Sequence, residues 1–310
     1  MRIAILGATS HIAKGLIVGL AARPENTLLL YARNHVRVEE FIKHYAGGRG
    51  EPLSLDSFGE HTCDVVINCI GIGDPGRLKT EAGTIFRLTE TWDDRILQFL
   101  SRAPETLYIH FSSGAAYGVD FSRPVEPGSQ AQFPLNSLTS AEFYGIAKLN
   151  AEAKHRAAGS FNIVDLRIFS YFSRFIDLGT RYLLTDIIAA LQDGRVFLTT
   201  PADIVRDYVH PDDLLALVDL VIARRKLNAV YDAYSLNPIS KFELLERLSH
   251  LFGLKYQVTS DVAEMSATGL KNNYFSNNHL AKEVGYQPEK NSFECINNEI
   301  SIILNGRFRG

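Results

Sequence analysis

Short apolar runs alternate with longer stretches of helical period through the first two thirds of the chain. Arg2–Leu6 is nearly all apolar at strand length, and Ile12–Ala22 then repeats apolar residues at helical spacing. Thr27–Ala32 reads as a second strand and Val36–Tyr45 as a second helix. Asp64–Ile70, Leu107–Ser112 and Asn162–Ile168 are three more strands, with helical stretches Ile85–Leu100 and Ala141–Ala158 between them. Strands that are apolar on both faces, each followed by a helix, predict a doubly wound α/β parallel sheet with right-handed crossovers.

Past Phe169 the alternation loosens. Leu183–Leu191 and Leu214–Arg224 read as helices, Ala229–Tyr234 as a strand, and Phe293–Leu304 as a final amphipathic helix. Ser240-Lys-Phe-Glu243 has the spacing of a capping box opening the helix Phe242–Phe252. The pattern divides into a sheet unit over residues 1–169, with a return at about 205–235, and a smaller mixed lobe from 170–204 and 236–310.

Length and composition narrow the class. At 310 residues, 46% hydrophobic and 22% charged, the chain has room for about two domains of ~150 residues and a full core. Its 32 basic against 35 acidic residues leave no basic excess for nucleic acid. No apolar run reaches the ~18 residues of a membrane span. The opening Met-Arg-Ile-Ala-Ile-Leu-Gly reads as a buried first strand rather than a signal peptide. Cys63, Cys69 and Cys295 form no CxxC pair, so a reduced, cytoplasmic setting is expected. The nine histidines show no pair at helical metal-ligand spacing, so no metal is expected.

Gly7-Ala-Thr-Ser-His-Ile-Ala13 stands where strand one hands over to helix one, the place where free N–H groups and the helix dipole meet a pyrophosphate. Gly7, Ser10 and Ala13 occupy the three positions that need small residues. A plain strand-to-helix turn has the same look, but the placement directly after a buried strand favours the phosphate loop. Thr9, Ser10, His11 and Ile12 are assigned to the cofactor with Gly7, as are Ile70 and Gly71 at the end of the Asp64–Ile70 strand. At the end of strand two the chain reads Leu-Leu-Leu-Tyr-Ala-Arg33-Asn. An acidic residue there would grip a ribose 2′-hydroxyl, whereas Arg33 suits a 2′-phosphate, so NADP is favoured with NAD as the alternative.

Tyr144-Gly-Ile-Ala-Lys148 sets a phenol and an ammonium one helical turn apart. A Lys beside a Tyr stabilises phenolate and draws the phenol toward use as an acid or base. By itself the spacing is also that of an exposed surface pair. Upstream, however, Phe-Ser112-Ser113-Gly-Ala-Ala-Tyr117-Gly closes a buried strand, and ligands of open α/β sheets bind at the carboxyl ends of strands.

Taken together, Gly-x-x-Ser-x-x-Ala, Ser-Ser-x-x-x-Tyr-Gly and Tyr-x-x-x-Lys resemble the extended short-chain dehydrogenase/reductases, the NAD(P)-dependent nucleotide-sugar epimerases, dehydratases and reductases. The likeness continues through Leu166-Arg-Ile-Phe-Ser170, Arg206-Asp-Tyr-Val-His210-Pro-Asp-Asp213 and His279-Leu-Ala-Lys-Glu-Val-Gly285-Tyr. It implies a Rossmann-type sheet with a smaller substrate lobe, and a catalytic triad of Ser113, Tyr144 and Lys148, the last two also touching the cofactor. It further implies Asp56 as the adenine-side acid, Arg206 on the diphosphate of a nucleotide-sugar substrate, Ser113 and Ser170 at the substrate, and a homodimer. Ser10 and Ala13 replace loop glycines, Thr89 and Ser170 stand where Asn is usual, and Ser173-Arg174 replaces Gly-Pro.

Dehydrating members carry an Asp-Glu pair directly after the catalytic hydroxyl, but here Gly114 and Ala115 follow Ser113 and neither moves a proton. Hydride chemistry at one carbinol carbon remains. A 4-ketoreductase using NADPH on a 4-keto(-6-deoxy) sugar nucleotide is the leading reading, from Arg33. An NAD-dependent 4-epimerase is the alternative, from the Arg206-Asp-Tyr-Val-His likeness. A non-catalytic NADP-sensing regulator is the reading of another class, and it sits poorly with an intact Tyr and Lys. His110, inside a strand, reads as a packed, hydrogen-bonded core residue.

Overall fold

The computed structural model describes residues 1–72, 76, 80–224, 226–260 and 271–306. Residues 261–270 and 307–310, part of the segment assigned above to the smaller lobe, lie outside the described residues. Strands β1 (Arg2–Leu6), β2 (Thr27–Ala32), β3 (Glu51–Ser54), β4 (Val65–Asn68), β5 (Leu107–Ser113) and β6 (Asn162–Ile168) are followed by short strands β7 (Ser170–Tyr171), β8 (Phe197–Thr199), β9 (Val205–Arg206) and β10 (Tyr208–Val209). β11 (Asn228–Ala233), β12 (Ile239–Ser240), β13 (Tyr256–Val258) and β14 (Asn273–Tyr274) complete the set. The helices are α1 (His11–Ala21), α2 (His35–Tyr45), α3 (Ile85–Arg102), α4 (Ser140–Ala157), α5 (Leu183–Asp193), α6 (Pro211–Arg224), α7 (Lys241–Phe252) and α8 (Ser292–Leu304).

Seven strands form one parallel sheet in the order β11-β6-β5-β4-β1-β2-β3. This is the doubly wound Rossmann-type arrangement that the apolar runs predict. The winding reverses between β1 and β4, where the chain leaves a crevice at the carboxyl edge. One face buries Ile3, Ile5, Ile109 and Val164 against α1 and α6 through Leu16, Ile17, Leu217 and Val218. The other buries Ala4, Leu29, Val66 and Tyr108 against Ile96, Phe99 and Leu100 of α3. A separate core joins α5, α7 and α8 through Ile187, Ile188, Leu244, Leu248, Ile296 and Ile300, beside a small mixed sheet in the order β12-β9-β14.

Two features depart from the sequence reading. β3, with Pro52 and only intermediate burial, is an edge strand that carries no apolar run. Ser240 does cap α7, accepting from the Glu243 N–H, but the Glu243 carboxylate pairs with Arg247 at 2.7 Å. Half of the expected box is therefore replaced by an i,i+4 ion pair.

Candidate active site at the carboxyl edge of the sheet

β1 ends in a turn that only glycine fits. Gly7 has φ +75°, and a Cβ there would lie 3.0 Å from the Cys69 carbonyl carbon and oxygen. Its N–H and that of Ala8 donate to the Tyr31 carbonyl at 2.9 and 3.1 Å, and Ser10 N–H returns to the Gly7 carbonyl at 2.9 Å. Ser10 then caps α1 through Ala13 N–H, and Ala13 is fully buried against the sheet. The loop thus presents a helix N-terminus to the crevice with backbone in close approach, which fits a dinucleotide pyrophosphate. The side chain of His11 is turned elsewhere: its ring accepts from Ser173 N–H at 3.1 Å, and burial pulls its pKa down to about 4. Only the backbone of His11 remains for an anion.

Arg33 is exposed directly after β2, and Asp56 is exposed directly after β3 in a turn capped by Ser54. Both sit at the carboxyl edge, on the side of the sheet away from β5. Arg95 donates to the Asp56 and Phe58 carbonyls at 2.6 and 3.0 Å, fixing that turn to α3. Ile70 N–H donates to the Asn68 side chain at 3.0 Å, and Gly71 is exposed beyond it.

Ser113 is the last residue of β5, and Tyr144 and Lys148 lie one turn apart on α4. Two glycines bring these elements together. A Cβ on Gly145 would stand 2.3 Å from the Ala115 carbonyl oxygen, and one on Gly114 2.4 Å from the Phe169 ring. A full capping box at Thr139 and Glu142 sets the start of α4. Burial raises the Tyr144 pKa, and the neighbouring Ser113 hydroxyl works against that rise. Lys148 donates to the Phe111 carbonyl at 2.7 Å, with its ammonium 5.9 Å from the Tyr144 ring centre. Burial lowers the Lys148 pKa to about 8, against the opposing charges of Asp165, Glu152 and Asp93. The structure therefore gathers all three predicted triad residues.

Tyr274 is a site residue that no sequence motif marks. Its hydroxyl lies 3.0 Å from the Ser113 Oγ, and its ring packs on Phe121 and Phe169. Lys271 Nζ stands 4.0 Å from the centre of that ring, and the Arg206 guanidinium 5.9 Å. Arg206 donates to the Val205 and Lys271 carbonyls at 2.8 and 2.6 Å. Among the described residues Arg206 makes no ion pair to Asp207 or Asp212. Asp207 instead accepts from Ser235 and Ser292, and Asp212 lies 3.6 Å from His210. Burial, and then Arg206, lower the Lys271 pKa to about 7. Among the described residues no carboxylate pairs with either cation, so two positive groups lie near the triad hydroxyl. Ser170 opens β7, two residues past the end of β6, paired with Tyr208.

No helix among the described residues is long and apolar enough to cross a membrane. Comparison with curated proteins gives no sequence match. Among solved structures, a UDP-glucose 4-epimerase from Stenotrophomonas maltophila, holding NAD and formylated UDP-arabinopyranose, superposes with TM-score 0.80 at 17% identity, covering 99% of each chain. A UDP-N-acetylglucosamine 4-epimerase from Methanobrevibacter ruminantium M1, with UDP-N-acetylmuramic acid, gives 0.81 at 14%, again over 99% of each chain. A dTDP-glucose 4,6-dehydratase from Bacillus anthracis with NAD gives 0.77 at 14%, over 99% of this chain and 97% of that one. The likeness therefore covers the small lobe as well as the doubly wound sheet. The model of the NAD dependent epimerase/dehydratase family matches residues 3–236, spanning the phosphate loop, the Ser113–Tyr144–Lys148 cluster and Arg206, and the chain belongs to that family of enzymes.

Proposed function

We propose that the protein is an NAD(P)-dependent oxidoreductase of a nucleotide-activated sugar, moving a hydride at a single ring carbinol. The observation that carries this reading is the meeting of Ser113, Tyr144 and Lys148 at the carboxyl edge beside the phosphate loop. The loop Gly7–Ile12 would hold a nicotinamide dinucleotide, which would supply or accept the hydride. Ser113 orients the sugar oxygen, Tyr144 gives or takes its proton at Oη, and the Lys148 ammonium favours the phenolate. Arg206 and Lys271 offer charge to an anionic substrate group. Residues 1–169 with the return near 205–235 hold the dinucleotide; 170–204 and 236–310 hold the sugar nucleotide, and the chain pairs as a homodimer.

Within this class we place a 4-ketoreductase first, with NADP as its cofactor. Arg33 after β2, with no carboxylate beside it, supports a 2′-phosphate, and Gly114 and Ala115 supply no proton for dehydration. A 4-epimerase that keeps NAD is the second reading, favoured by the presence of 4-epimerases among the structural neighbours. One experiment separates them. The nucleotide that co-purifies is identified by mass, and NADPH consumption is followed with 4-keto-6-deoxy nucleotide sugars. Stoichiometric consumption supports the reductase. Tightly held NAD with epimer formation and no net consumption supports the epimerase. NADPH binding without either reaction would overturn both in favour of a cofactor sensor.

A further inference from the structure

The lysine of the triad is backed by a buried polar stack. Nε2 of His110 lies 3.3 Å from Lys148 Nζ. Nδ1 of the same ring is 2.8 Å from Asp165 Oδ1, and that oxygen is 2.7 Å from Nδ1 of His155. Nε2 of His155 is 2.6 Å from Asp93 Oδ1. Arg156 donates to the other Asp165 oxygen at 2.8 Å, and Lys154 pairs with Asp93 at 2.8 Å on the way to solvent. The four inner side chains are at most 2% exposed. β5 supplies His110, β6 Asp165, α3 Asp93, and α4 both Lys148 and His155.

The direction of each hydrogen bond follows from its partners. Carboxylates only accept, so both nitrogens of His155 carry protons and the ring is an imidazolium. Burial opposes that charge, but the bonds to Asp165 and Asp93 outweigh it and hold the His155 pKa at about 9. An ammonium only donates, so Nε2 of His110 is a bare acceptor, and Nδ1, facing Asp165, carries the single proton of a neutral ring. Burial and the nearby Lys148 charge both keep His110 from gaining a second proton, against the pull of Asp165. Because His155 donates at both ends, no vacant acceptor links Lys148 to the surface. The stack is a support and not a proton conduit. His110, His155 and Asp165 also place ligand atoms within 4.8 Å of one another, but a cation there would have to displace protons from both rings.

We propose that His110 is a positioning residue for Lys148. Fixed in its Nδ1–H form by Asp165, it takes one ammonium N–H at Nε2 while the Phe111 carbonyl takes a second, leaving the third for the crevice where Tyr144 stands. This rests on the reading of Tyr144 and Lys148 as the proton-moving pair. The charged or titratable groups facing His110 are Lys148 and His155 from α4, Asp165 from β6, Asp93 from α3, and Tyr108 from its own strand. Without the acceptor at Nε2 the charged form of Lys148 loses support, and its titration moves to lower pH.

The test reads Lys148 itself and needs no substrate. The Cε resonance of Lys148, in full-length protein carbon-labelled at lysine and assigned through Lys148→Met, gives its titration midpoint. Long-range proton–nitrogen spectra give the protonation of His110 and His155. The expected result is a neutral His110 protonated at Nδ1 and a doubly protonated His155 at neutral pH. The Lys148 midpoint should fall by about one pH unit or more in His110→Phe and recover in His110→Gln, whose amide oxygen restores an acceptor. A proton on Nε2 of wild-type His110, an unmoved midpoint in His110→Phe, or stoichiometric Zn2+ uptake that strips both imidazole protons would overturn the proposal. Should His110→Phe fail to fold, the wild-type protonation pattern and the His110→Gln midpoint decide. Turnover by Tyr144→Phe tests the underlying reading separately, since the Lys148 midpoint is measured whether or not any sugar reacts.

Discussion

Burial by itself would make Tyr144 a weak acid at neutral pH, and the Ser113 hydroxyl and the Lys148 charge are the groups placed to counter it. On the proposed reading the phenol moves a proton, while the dinucleotide is held chiefly by the Gly7–Ile12 loop. Tyr144→Phe should therefore abolish turnover while NADPH affinity, followed by fluorescence titration, stays within about twofold. Wild-type turnover in that variant would remove Tyr144 from the chemistry. For Arg33→Ala the expected loss is selective: roughly tenfold weaker NADPH, about 1.4 kcal/mol, with NADH unchanged. Equal effects on both cofactors would favour the NAD-retaining epimerase. Arg206→Lys tests the cation above Tyr274. A point charge cannot reproduce a planar fork, so KM for the nucleotide sugar should rise roughly tenfold with Tm unchanged. A fall in Tm without a KM change would reduce Arg206 to a tie between the Val205 and Lys271 carbonyls.

At the scale of elements, the carboxyl edge works because backbones approach more closely than side chains allow. Gly7→Ala combines a positive φ with a Cβ 3.0 Å from the Cys69 carbonyl, in the loop proposed to seat a pyrophosphate. It should lower stability by about 1–3 kcal/mol and abolish detectable NADPH binding, measured by denaturant titration and by fluorescence. A variant of native stability that still binds would show that the turn is an ordinary one. The strands at the centre of the sheet and α1–α4 were readable within one or two residues, since a parallel sheet buried on both faces writes continuous apolar runs. β3 was not, because an edge strand with Pro52 and half-exposed neighbours leaves no such run. Only the Ser240 half of the α7 box forms, because Arg247 competes for the Glu243 carboxylate at a spacing that capping rules ignore.

Across the whole molecule, charge buried between the sheet and α3–α4 couples folding to pH. The His155 pKa is raised from 6.5 to about 9, so the stability it adds is fully present below pH 6.5 and is lost as pH rises through about 9. The Tm should therefore fall steadily across that window. The fall should be shallower in Asp93→Asn, which removes one of the two negative charges that raise this pKa. A wild-type Tm that is flat from pH 6.5 to about 9 would mean that His155 is neutral in the folded protein.

Local pattern was enough to specify the doubly wound sheet, the strand-to-helix turn at Gly7–Ala13 and the one-turn spacing of Tyr144 and Lys148, because each depends on contacts within a few residues or on a period that one element repeats. Ser113 was readable too, since the end of a buried strand is a predictable place. Tyr274 and Lys271 were not: they lie in an Asn-rich stretch without period, and the pairing of β14 with β9, together with backbone bonds to Phe121 and Val125, carries them to a hydroxyl 161 residues earlier in the chain. His110 was legible as a buried, hydrogen-bonded histidine, but not as the neighbour of Lys148. That contact needs β5, β6, α3 and α4 to converge, and the partners of a buried charge are chosen by packing in three dimensions, where low dielectric makes every unpaired group costly.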